Sequence, residues 1–182
     1  MTTTAEEAAQ ALHEIALIRH RAAGFQDYQA ESGQLLLWGL AYVVGFALTA
    51  CFRDQLIPIW ASVVSLTTAI GTWLASRTGA DGGRVAWRYL AVIGTILLFC
   101  LALNIIFWPL TPEQGAMLAP MLLAALYILR GIQLRPRYLV IGLLLGGLCL
   151  GGYVLLLPVF WPWMTLACGG TLIVSGLWLR AV

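Results

Sequence analysis

From residue 34 onward the chain is a succession of long apolar runs broken by brief polar stretches. Six runs, near 35–52, 56–75, 89–109, 114–130, 138–157 and 159–179, approach or reach the roughly 20 apolar residues that a helix needs to cross a bilayer core. None carries an ionisable residue in its middle. The fourth is the shortest and holds Pro120, which a spanning helix tolerates near its first turns or where neighbours pack against it. Residues 1–33 follow another rule. Ala8, Leu12, Ile15, Ala22 and Phe25 recur at near-helical spacing, and Leu17 and Ile18 widen that stripe. Thr4-Ala5-Glu6-Glu7 fits a capping box, and Gly24 is placed to break the helix. The pattern predicts an all-α polytopic membrane protein. Six transmembrane helices, arranged as three hairpins over 34–182, follow an N-terminal amphipathic cytoplasmic helix within 1–33.

Composition sharpens this. Of 182 residues, 61% are hydrophobic and 10% charged, against about a quarter charged in soluble proteins. The acidic N-terminus has no apolar core ahead of a small-residue cleavage site, so the first span is expected to stay in the protein. There is no lysine, and the arginines set orientation. Arg19, Arg21, Arg77, Arg84, Arg88, Arg130, Arg135, Arg137 and Arg180 fall on one side of a six-span arrangement, and Arg53 alone on the other. That bias places both termini in the cytoplasm and the chain in the inner membrane. The outer loops, FRDQLIP, WPLTPEQG and LPVFWPW, are short and nearly uncharged.

Self-comparison aligns RYLAVIGTILLFC (88–100) with RYLVIGLLLGGLC (137–149), and Cys51, Cys100 and Cys149 are spaced by 49 residues. Either a parallel internal repeat or shared interface preferences of equal-length hairpins would produce this. Aromatic residues gather at span ends: Trp38, Trp73, Trp87, Tyr89, Tyr127, Tyr138 and Trp178 at the inner ends, and Trp60, Phe107, Trp108, Phe160, Trp161 and Trp163 at the outer ends. An interfacial belt accounts for them. The functional alternative is a ligand pocket near the outer leaflet lined by Trp60, Trp108, Trp161 and Trp163. Small residues mark helix-packing faces: Gly142 with Gly146, Gly147 with Gly151, Ala41-Gly45-Thr49, Ala61-Ser65-Ala69 and Ala167-Thr171-Ser175. Packing within the bundle is their plain use, and a homodimer through one such face is the other.

Catalytic chemistry is hard to find. Membrane enzymes and proton-coupled carriers keep ionisable groups inside the bundle, and this chain has none there. Asn104 is the most polar mid-span residue, suited to interhelical hydrogen bonding or to touching a ligand. Cys51, Cys100, Cys149 and Cys168 lie within spans without a Cys-x-x-Cys motif and read as small buried hydrophobes. No histidine stands in a span to ligate haem, and no phosphate-binding glycine motif is present. SRTGADGGRVA reads as a turn bearing Arg77 and Arg84. His13 and His20 would sit about 10.5 Å apart along a helix, too far to share one metal ion. The chain is therefore expected to be no enzyme and to hold no cofactor or metal.

The N-terminal helix is too apolar on one face to stand free in water, so it should pack on something. Five acidic residues against Arg19 and Arg21 give 1–33 a formal charge of −3, which disfavours an anionic leaflet. It reads as a handle, for the chain's own basic loops or for a second protein. Over about residues 10–48, HEIALIRHRAAGFQDYQAESGQLLLWGLAYVVGFAL resembles small bacterial six-span membrane proteins whose first span opens with a LWGL-like motif, here Leu37-Trp38-Gly39-Leu40. Such proteins often accompany winged-helix DNA-binding regulators. The resemblance implies a membrane partner that holds or releases a regulator, without binding nucleic acid itself.

Two functions follow. The first is a non-enzymatic regulatory or sensor protein whose spans meet membrane lipid and whose cytoplasmic face binds a soluble protein. Its contact residues would be Leu12, Glu14, Ile15, Ile18 and Arg19, with Arg77, Arg84, Arg135 and Arg137 from the loops 76–88 and 130–137. The second is a small-molecule-binding membrane protein, a transporter's substrate-capture subunit or a small transporter. Its ligand would meet Trp60, Asn104, Trp108, Trp161 and Trp163.

Overall fold

The structure, a computed structural model, describes residues 32–77, 82–133 and 136–181. The amphipathic segment and its contact residues Leu12, Glu14, Ile15, Ile18 and Arg19 lie outside these, as does Arg135. Six helices are long and apolar enough to cross a membrane: α1 Ser32–Cys51, α2 Arg53–Ser76, α3 Gly82–Ile106, α4 Pro112–Gln133, α5 Pro136–Leu155 and α6 Leu157–Arg180. The protein is an all-α, multi-pass membrane protein.

One of these boundaries, the start of α4, has a clear local cause. α4 starts at a capping box: Thr111 N–H donates to Gln114 Oε1 at 3.0 Å, and Gln114 N–H donates to Thr111 Oγ1 at 3.2 Å. Pro112 takes the first helical position, where a missing N–H costs nothing. α3 starts at Gly82, well before the apolar run. This shortens the turn expected over SRTGADGGRVA: Arg77 is in a turn, residues 78–81 lie outside the described residues, and Gly82–Ala86 are helical, so Arg84 stands on the first turn of α3. Hydropathy marks only the part of a helix that needs lipid, and α3 extends past it. Pro120 is buried inside α4 rather than ending it.

The turns α1–α2 and α5–α6 share one form. A single non-helical residue, Phe52 or Leu156, is followed by one 3-10 turn, Arg53–Gln55 or Leu157–Val159. The α3–α4 connection is longer and contains a cis Trp108–Pro109 bond. The aligned cysteines also part company: Cys51 is exposed, Cys100 half-buried and Cys149 buried.

The core lies among α1, α4, α5 and α6, where Phe46, Met117, Ile141, Leu145, Met164 and Leu172 meet. α1 and α6 run antiparallel at backbone contact. A Cβ on Gly39 would stand 3.0 Å from Ile173 N and 3.1 Å from Gly169 O. Glycine is required there because two backbones occupy the space a side chain would need. Arg180 Nε donates to Ser32 Oγ at 3.1 Å and ties the two helix ends. Between them α6 widens into a π-helical turn, Thr165–Gly170, and Ala167, Cys168 and Gly169 are all buried.

The hairpin expectation needs adjustment. Consecutive helices are antiparallel, and α5 packs closely on α6 as expected, but α2 with α3 and α4 with α5 are also close pairs, and the middle hairpin is loose because α3 and α4 barely meet. The α2–α3 pair buries few residues, Thr67, Gly71 and Ala75 of α2 and Gly82 and Ala86 of α3, and Gly71 and Gly82 are covered by the other helix of the pair, by Tyr89 and Ser76.

Candidate ligand-binding cavity

Between the core and the α2–α3 pair lies a cavity of about 780 Å³. α1 contributes Trp38 and Tyr42, α2 Trp60 and Val64, α3 Ile96 and Asn104, and α4 Ala119 and Tyr127. Its size falls within the roughly 300–1,000 Å³ typical of small-molecule sites, and its wall is mainly apolar, as theirs are. Cavity and helix ends share one axis. The end holding the chain's described termini, Ser32 and Ala181, also carries Arg77, Arg84, Arg88, Arg130, Arg137 and Arg180. The opposite end carries Arg53, Asp54 and the 107–111 connection.

At the arginine-bearing end α1 meets the α2–α3 pair through aromatic and small residues. Trp38 Nε1 donates to Tyr89 Oη at 2.9 Å, and the Tyr89 ring lies against Gly71, whose missing side chain makes the room. Gln34 Nε2 donates to the Gly71 carbonyl at 3.4 Å. The back wall is an aromatic cluster. Tyr42 lies 5.7 Å from Trp60, and Phe46 meets Trp60 edge-on at 4.9 Å, within the separations at which rings attract. At the other end Arg53, Asp54, Trp108 and Thr111 form the rim.

Three of the five ligand candidates named from the sequence therefore line one cavity: Trp60, Asn104 and Trp108. Asn104 Nδ2 donates to Cys100 O of its own helix at 2.9 Å, so its amide does not bridge helices through that bond. Trp161 and Trp163 stand elsewhere. Trp161 is only 4% exposed and packs on Phe160 and Phe46. Trp163 Nε1 donates to Leu148 O at 2.9 Å, and its indole rests on Gly152, clamping α6 to α5. The belt reading also divides. Trp73, Trp87, Phe107, Trp108 and Trp178 are exposed as a belt requires, whereas Phe160, Trp161 and Tyr138 are buried in the core. Distance along a helix gives depth in the membrane but not the direction a ring points. Cavity residues that the sequence did not mark as ligand contacts are Trp38 and Tyr127, each equally suited to an interface, and Tyr42, which lies mid-span.

The glycine stripes of α5 separate as well. A Cβ on Gly142 would stand 2.7 Å from Ala124 O, and one on Gly146 would stand 3.4 Å from the Ala124 Cβ, so this stripe seats α4. Gly147 and Gly151 face open space. Ala61, Ser65 and Ala69 of α2 are exposed too. Cys149 and Cys168 are brought together in the core, thiol to thiol.

At the arginine-bearing end, guanidinium groups lie over rings: Arg77 over Trp73 at 3.9 Å, Arg130 over Tyr138 at 5.0 Å and Arg137 over Trp178 at 5.9 Å. All fall within the about 6 Å at which a cation feels a ring face. Arg77 and Arg84 are exposed and Arg137 half-buried. Among the described residues no three His, Cys, Asp or Glu side chains converge as metal ligands. Compared with protein-family models, curated proteins and solved structures, the chain matches none.

Proposed function

We propose that this is a non-enzymatic membrane protein that takes a lipophilic small molecule into the cavity between α1, α2, α3 and α4. The observation that carries the reading is the cavity itself: about 780 Å³ of mostly apolar space with a few polar groups at fixed points. A molecule already dissolved in the bilayer reaches it sideways, because α3 has little of its surface covered by protein. This is ligand capture, the use a sensor and a transporter's capture subunit share.

A second feature favours the sensor. Arg77, Arg84, Arg88, Arg130 and Arg180 are exposed at one end of the bundle, and residues 1–33 carry a formal charge of −3. We place that end in the cytoplasm, by the excess of arginine, in an inner membrane. There it would hold a soluble protein, a DNA-binding regulator being the partner that the resemblance implies, with Leu12, Glu14, Ile15, Ile18, Arg19, Arg77, Arg84, Arg135 and Arg137 as contacts. Ligand occupancy would bias that contact through α3, which lines the cavity with Asn104 and carries Arg84 and Arg88 on its first turns.

Native mass spectrometry of the full-length protein from mild detergent tests ligand capture. The wild type should carry a small-molecule or lipid adduct, and Ala119→Trp, which fills the cavity, should lose it. A spectrum free of adduct, or one unchanged by Ala119→Trp, would overturn the reading.

A further inference from the structure

The cavity is chemically lopsided. Its charged wall residues, Arg53 and Asp54, both stand at the rim away from the arginine-bearing end. Both are exposed, and neither is engaged in an ion pair with another described residue. At the arginine-bearing end the Trp38 indole is already spent on Tyr89. The middle is valine, isoleucine and leucine from α2 and α3.

Shape and charge together narrow the occupant. The α3 wall runs from Val92 to Asn104, about 18 Å at 1.5 Å per residue, so the space is elongated and suits a chain better than a compact ring. A purely anionic head at the rim would meet Asp54, a purely cationic one Arg53, and an uncharged one would engage neither. A dipolar head satisfies both. Its phosphate would face the Arg53 guanidinium. Its ammonium would face the Asp54 carboxylate, with the Trp108 ring as a further partner.

We propose that the cavity binds a zwitterionic membrane amphiphile of the phosphoethanolamine type, one acyl tail along Val63, Ile93 and Ile96, any second tail in the surrounding bilayer, and its head between Arg53 and Asp54. This rests on the reading of the cavity as a ligand site and specifies its ligand.

The test titrates the full-length protein in detergent with three lipids of identical dioleoyl tails, phosphatidylethanolamine, phosphatidylglycerol and diacylglycerol, and with free phosphoethanolamine, reading occupancy by native mass spectrometry. Phosphatidylethanolamine should bind about tenfold more tightly than the other two lipids, a difference of about 1.4 kcal/mol. Arg53→Gln and Asp54→Asn should each reduce it toward the diacylglycerol level while leaving diacylglycerol binding unchanged, which also reports an intact fold. Free phosphoethanolamine should displace nothing. Equal binding of all three lipids that Ala119→Trp abolishes would overturn the head-group assignment and leave the cavity reading standing. So would preference for phosphatidylglycerol, or displacement by the free head group. Binding insensitive to Ala119→Trp would overturn both.

Discussion

Trp38 shows how a residue's type can be read from sequence while its work cannot. An aromatic ring near a span end fits an interfacial belt, yet its indole donates across to Tyr89 and its ring lines the cavity. Donors buried within a bundle contribute modestly, about 0.6–2 kcal/mol, since the alternative partners in lipid are few but present. Trp38→Phe and Tyr89→Phe should each lower stability by about that much. The double substitution should cost no more than the larger single one, because both remove the same bond. Thermal unfolding in detergent measures it, and strictly additive losses would show that the bond contributes nothing. Asn104 and Trp163 carry the same lesson. Each was legible as polar or aromatic, but the acceptors, Cys100 O and Leu148 O, depend on which way each side chain points.

Helices divide along a similar line. The two glycine stripes of α5 are identical as motifs, and only one seats a helix. Gly142→Val should therefore destabilise by about 1–3 kcal/mol through overpacking against α4. Gly147→Val should stay within about 0.5 kcal/mol of wild type, as open surface positions do. Unfolding temperature together with size-exclusion chromatography checks both. Dissociation of an oligomer by Gly147→Val would instead make that stripe the homodimer face. The π turn of α6 was not legible. It holds Gly169, whose backbone meets α1, a contact between distant segments that no local propensity reveals. The first turns of α3 were missed for the opposite reason, since a helix can outrun its apolar run at no cost once it leaves the hydrocarbon.

For the whole molecule, the arginine bias and the exposed Cys51 beside Arg53 make orientation measurable. If both termini are cytoplasmic, a membrane-impermeant maleimide should label Cys51 in intact spheroplasts, and Cys51→Ser should abolish the labelling. Arg77→Cys in that background should be labelled only after permeabilisation. The reverse pattern would invert the topology. Cys149 and Cys168, buried in the core, should stay unlabelled in either case.

The number of spans, their approximate limits and the gathering of arginine at one end follow from the chain alone. Each is a cost that every residue bears individually against lipid or water: an apolar run of a given length, a charge kept out of hydrocarbon. Which helices touch, and where they part to leave a cavity, came only from the tertiary structure. In lipid an apolar side chain gains nothing by turning inward, so hydropathy carries no direction around the helix. Gly39 against Gly169, Tyr89 on Gly71, and the space between Trp60 and Asn104 were decided by shape alone.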